Sequence, residues 1–195
     1  MKMKTTRLLG IVCFMSGLQA QAQLKFPVTN NDLRTNLTRV ISDFPNGFST
    51  LKGDTIEVNP QSIEFSSLLD FRMAPENAIT QYTAVQPVYS WHASLITSEE
   101  FEDAAKKYNW LCNQLKVMTI KLDGGYSFTL SGNINKPDDG KKYTSTVFKL
   151  TPGASHLPKL KIEAVMEFVF PEWKVNLVVY EKEREDHERG DYMGD

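Results

Sequence analysis

The chain has 195 residues, of which 41% are hydrophobic and 24% charged, with a formal net charge of −2 and two cysteines. That length suits one domain of ordinary size able to bury a sizeable core without disulfide staples, and the apolar content excludes wholesale disorder. The near-neutral balance excludes the basic surplus of a dedicated nucleic-acid binder, so no nucleic-acid partner is expected.

The N-terminus reads as a secretory signal peptide over residues 1–22. Lys2, Lys4 and Arg7 precede a short apolar run (residues 8–18), and Ala20-Gln21-Ala22 forms an A-x-A cleavage site. The apolar run falls short of the roughly 20 residues that span a bilayer. Cleavage after Ala22 leaves 19 Lys plus Arg against 24 Asp plus Glu, a net charge of −5. No later stretch reaches membrane-spanning length, which predicts an exported product, periplasmic or extracellular, with no transmembrane segment in the mature chain. Cys112 is then the one cysteine left and cannot form an internal bridge.

Residues 23–180 read as a single α+β domain. Leu33, Leu37, Val40, Ile41 and Phe44 share one stripe of a helix over 31–44, stopped by Pro45-Asn46-Gly47. Strand-like segments follow at 62–69, 78–86 and 88–96, rich in β-branched and aromatic residues. A second helix is expected over 98–116, with Phe101, Ala104, Ala105, Tyr108, Leu111, Cys112 and Leu115 on its apolar stripe and a Thr97/Glu100 capping box. After it, segments 117–122, 125–134, 141–151, 160–170 and 173–179 read as five strands. Asp123-Gly124-Gly125 marks a hairpin, and Leu160, Ile162, Ala164, Met166, Phe168 and Phe170 alternate with Lys161, Glu163 and Glu167. The expected layout is two amphipathic helices on antiparallel sheet, in the order helix, two or three strands, helix, five-stranded meander. Residues 181–195 carry seven acidic and three basic side chains and read as a charged flexible tail.

Chemistry-bearing patterns are sparse. His92, His156 and His187 have no partner at metal-ligand spacing, so neither a metal nor a cofactor is expected. His92 alternates with Ser90 and Ser94 on one strand face, which makes it the single catalytic candidate, as in a small periplasmic hydrolase. Nothing resembling a nucleophile elbow accompanies it. Gly124-Gly125 joins two strands and so does not form a phosphate-binding turn before a helix. Asn36-Leu37-Thr38 matches an N-glycosylation acceptor inside a helix, and Arg189-Gly190-Asp191 an adhesion tripeptide in the tail. Aromatic residues in or beside strands (Tyr82, Tyr89, Trp91, Tyr126, Tyr143, Trp173) point instead to binding, with Tyr89, Trp91 and His92 as ligand-binding candidates. The partner would be an unknown protein or a small apolar ligand.

The leading functional expectation is an exported non-enzymatic binding or interaction domain, with the hydrolase and an envelope-associated accessory protein as alternatives. The lysine-led signal ending in Gln21-Ala22-Gln23, together with Asp43-Phe44-Pro45-Asn46-Gly47-Phe48 after the first helix, resembles small uncharacterised exported proteins of the Bacteroidota. That resemblance brings no activity with it. It implies one modification site: Asp54-Thr55-Ile56 matches the Asp-Ser/Thr-apolar acceptor pattern for periplasmic O-glycosylation in that group, which makes Thr55 the acceptor.

Overall fold

The computed structural model describes residues 30–83, 87–122, 124–155, 157 and 159–181. The signal-peptide reading, His156, His187, the Arg-Gly-Asp tripeptide and all but the first residue of the acidic tail lie outside them.

Helix α1 (Asn30–Asp43) buries Leu33, Leu37, Val40 and Ile41, the stripe at offsets of 4, 3 and 1 residues. Its exit is a 3-10 turn, Phe44–Asn46, closed by Gly47 at φ 61° and Phe48 at φ 58°. The Asp43 carboxylate ties this turn down, accepting from the Thr50 N–H at 2.9 Å and the Asn46 amide at 3.2 Å. Gly47 is required here twice over: its φ is left-handed, and a Cβ would stand 2.7 Å from the Tyr89 ring. The 43–48 motif is thus explained by local structure: Phe48 is fully buried and meets Phe44 edge-on at 5.9 Å.

Four strands follow: β1 (Lys52–Asn59), β2 (Ser62–Ser67), β3 (Asn77–Tyr82) and β4 (Val88–Ser98). Helix α2 (Phe101–Lys116) comes next, and then β5 (Thr119–Lys121), β6 (Ser127–Ser131), β7 (Tyr143–Thr151), β8 (Leu160–Val169) and β9 (Glu172–Glu181). All nine strands join one antiparallel sheet in the order β1-β2-β3-β4-β9-β8-β7-β6-β5.

This corrects the expected layout. The described residues are mostly antiparallel sheet with two α-helices, and an order of helix, two or three strands, helix, five-stranded meander does not describe them. Two facts overturn that order. Residues 52–59 form a strand, although Gly53, Asp54, Glu57 and Asn59 break any apolar alternation; β1 is an edge strand exposed along most of its length, so burial imposes no pattern on it. The last strand does not end a separate meander either, because β9 returns to pair along β4 from Ser90↔Tyr180 to Ser98↔Trp173 and welds both groups of strands into one sheet.

The start of α2 also differs from expectation. Thr97 and Ser98 remain in β4, paired with Lys174 and Trp173, so Thr97 is not available as a cap. Glu100 takes the N-cap position without a side-chain hydrogen bond, and its own N–H donates to Ser98 Oγ at 3.1 Å. The helix packs on β4, β9 and β8. Its buried residues, Ala104, Tyr108, Leu111, Cys112 and Leu115, meet one face of the sheet, where Trp91, Ala93, Val175, Leu177, Ile162 and Ala164 point. Tyr108 donates to or accepts from Thr146 Oγ1 at 2.7 Å, and the Asn135 N–H donates to the same hydroxyl at 3.0 Å. Burial raises the pKa of the Tyr108 phenol and of the neighbouring Cys112 thiol, so Cys112 behaves as a small core residue. There is no disulfide, and no helix long and apolar enough to cross a membrane, among the described residues.

Candidate functional site

Strand alternation puts Trp91, Ala93 and Leu95 under the helices and Ser90, His92 and Ser94 on the opposite face. A bulge between Ser94 and Ile96 shifts the pattern by one, turning Thr97 to the same side as Ser94. This second face is not uniformly exposed. Ser90, Lys161, Glu163, Val165 and Tyr180 are buried there, and Tyr143 donates to Glu163 Oε1 at 3.4 Å. Beside them it opens into a groove of about 720 Å³, lined from six strands, from Ile56 of β1 to Val169 of β8.

His92 lies at the middle of the groove, and the register explains what it reaches. Ser66, Ala78, His92 and Val178 form one row across β2, β3, β4 and β9. Because Ala78 is small, the imidazole can lie over β3 and approach the diagonal Glu64 of β2, with Nε2 3.7 Å from Oε1. Both side chains are half-buried. Burial lowers the His92 pKa from its ordinary 6.5, and the Glu64 carboxylate opposes that shift without cancelling it. His92 is therefore mostly neutral at pH 7, able to offer one donor and one acceptor.

A second polar pair stands on β9 and β8. Asn176 pairs in register with Val165, and its Nδ2 donates to the diagonal Glu167 Oε1 at 3.1 Å. Lys174 and Glu76 complete the charged lining, while Ile56, Pro75, Ala78, Val169 and Val178 supply apolar wall. Three carboxylates thus face one lysine and one neutral histidine. Chemically, the groove can hold a hydrogen-bonding or cationic group between His92–Glu64 and Asn176–Glu167. No group of three or more metal-ligating side chains occurs among the described residues.

The candidates taken from the sequence are divided by the sheet. Trp91 is 0% exposed, packs on Phe71 with centroids 6.2 Å apart, and donates its indole N–H to Ser67 Oγ at 3.4 Å; it is core, on the far face from His92. Tyr89 shares that far face. Its ring lies against the ammonium of Lys52, 4.5 Å from the centroid, in a small recess with Phe44, Pro45 and Leu157. Of the other strand aromatics, Trp173 is buried against Phe101 and Phe168, Tyr82 meets Ser90 Oγ at 3.3 Å, and Tyr126 and Tyr143 are exposed. None of these aromatics lines the His92 groove. Ser90 and Ser94 flank His92 two residues away along β4, but neither hydrogen-bonds it; Glu64 is the partner it reaches.

Thr55 is exposed on the edge strand β1, opposite Phe65. Asn36 is buried, and its amide donates to Asp32 Oδ1 at 2.9 Å, so its side chain is committed inside the helix. Glu64, Glu167 and Asn176 were not legible as site residues. Each sits on a different strand, and only the strand order, which closes β9 against β4, brings them together. Comparison with known proteins finds no matching family model, no matching curated protein and no matching solved structure.

Proposed function

We propose that this protein is an exported, non-enzymatic binding domain that holds a polar or cationic group in the groove around His92. Export rests on the basic, apolar and A-x-A succession of residues 1–22. One observation carries the binding reading: two side-chain pairs, His92 with Glu64 at 3.7 Å and Asn176 hydrogen-bonded to Glu167, line one groove assembled from six strands. Three carboxylates outnumber the single lysine, and the wall carries no aromatic ring, which favours a hydrogen-bonding or positively charged ligand over the small apolar one that the strand aromatics suggest. A hydrolase would need a nucleophile within hydrogen-bond reach of His92, and the pairing with Glu64 serves ligand orientation better.

A thermal-shift comparison of three ligand classes tests this: small amines and guanidines, neutral saccharides, and a medium-chain fatty acid. The expected result is a rise in Tm with members of the first two classes, lost in the Glu64→Gln/Glu167→Gln double variant. Stabilisation by the fatty acid alone, or a double variant that responds like the parent, would overturn it.

A further inference from the structure

A second site lies at the other end of the sheet, beside its edge strand β5. On α1, Arg34 and Thr38 occupy one row and Thr35 and Arg39 the next, flanking the buried stripe of Leu33, Leu37 and Val40. On β5, Thr119 and Lys121 flank the buried Ile120. The core contacts that seat α1 against β5 therefore bring these two polar rows to one open groove of about 460 Å³. Among the described residues its lining is three cations and three threonines, with no carboxylate.

We propose that this groove binds a phosphate or sulfate ester. Three facts point there. First, Arg34, Arg39 and Lys121 take part in no ion pair with any described residue; the carboxylate of the same helix turn, Asp32, accepts from Asn36 instead. Second, the chain as a whole has a net charge of −2, so gathering three cations in one groove without an ion pair to any described residue runs against its composition, and their mutual repulsion is relieved when an anion enters. Third, the donors are matched to a tetrahedral oxyanion. Two guanidinium forks can each give two N–H bonds, Lys121 adds a point charge, and the Thr35 and Thr119 hydroxyls hydrogen-bond no described residue. Arg34 is already oriented, its guanidinium donating to Asn31 Oδ1 at 2.9 Å. The groove exceeds a bare phosphate in volume, which leaves room for the group that the ester carries.

Titration of the purified protein with sodium phosphate, against sodium chloride at matched ionic strength, reads the site through backbone amide chemical shifts. Saturable shifts are expected at residues 34–39 and 119–121. Affinity should weaken by about tenfold or more in Arg34→Gln/Arg39→Gln. The charge-matched control Lys141→Gln/Lys142→Gln, in the exposed turn before β7, should change it by less than about twofold. Co-sedimentation with vesicles of phosphatidylglycerol in phosphatidylcholine separates the sources. A phosphate response identifies a soluble ester, whereas vesicle binding that needs Arg34 and Arg39 without a phosphate response identifies a lipid headgroup. No response to either probe, or equal weakening by the two variant pairs, overturns the proposal.

Discussion

The two faces of the sheet come from the same strands read at alternate positions, yet they do opposite work. Under the helices, β4 and β9 contribute Trp91, Ala93, Val175, Leu177 and Val179, all buried and apolar. Around the groove the same two strands contribute His92, Ser94, Lys174 and Asn176, half-buried and polar. Since side chains alternate along these strands on either side of the bulge after Ser94, neither face can be altered by sliding the register without destroying the other. The helix-covered face specifies the fold, and the register it enforces is what holds the groove's diagonal pairs together. That division makes a quantitative claim: substitutions on the covered face should cost stability, whereas those in the groove should cost binding.

The strongest attempt to break this comparison is Trp91→Ala. The ring is fully buried against Phe71, and its removal leaves a cavity on the covered face of the sheet. A loss of about 3–5 kcal/mol is expected from urea unfolding. A loss below about 1 kcal/mol would mean that the covered face is loosely packed and does not set the register. Thr146→Val comes next. It preserves shape but strands the Tyr108 hydroxyl and the Asn135 N–H, which both use Thr146 Oγ1, and should cost about 1–3 kcal/mol by the same measurement.

The covered face was more legible than the groove, for a physical reason. Burial imposes a period on sequence, so the α1 stripe, the α2 stripe and the alternation of β8 can be read from residue types alone. Strand β1 escaped because nothing buries its exposed positions. The capping box at Thr97 and Glu100 misled because the pattern cannot tell a cap from the end of a strand; pairing of Thr97 with Lys174 decides it. The groove depends on non-local order. His92 was visible as a polar-face residue, but Glu64 lies 28 positions earlier and Asn176 lies 84 later. Their proximity requires β2 and β9 to flank the β3–β4 hairpin, which no local pattern encodes. The candidates Tyr89, Trp91 and His92 lie close in sequence but are divided by strand alternation, which turns Tyr89 and Trp91 to the covered face and His92 to the groove.

A subtler effect than either core substitution tests the groove through protons. Burial holds the folded-state pKa of His92 below the value of about 6.5 that the unfolded chain shows. Between those two values the unfolded state binds more protons, so stability falls as the pH falls. The contribution is fully present above pH 6.5 and is lost as the pH drops through the lowered folded value. His92→Gln removes this term and keeps hydrogen-bonding capacity, so the parent should lose more stability than the variant between about pH 7 and 5. Parallel profiles would show that His92 is solvated in the folded protein, contrary to its place between β2 and β9.

The smallest expected change sharpens the comparison most. Asn176 sits on β9 between two fully buried neighbours, Val175 and Leu177, but points the other way, half-buried, to Glu167. Removing its amide in Asn176→Ala leaves the core untouched and frees a carboxylate that water can reach, so stability should change by no more than about 0.5 kcal/mol. Ligand-induced stabilisation should nonetheless fall, because Glu167 loses the contact that orients it. Were the alanine variant instead to lose about 2 kcal/mol in urea unfolding, comparable to a buried hydrogen bond with a charged partner, the groove pairs would be holding strands together. The polar face would then be a second structural layer, and the division of labour between the two faces would fail at the residue where the strand changes sides.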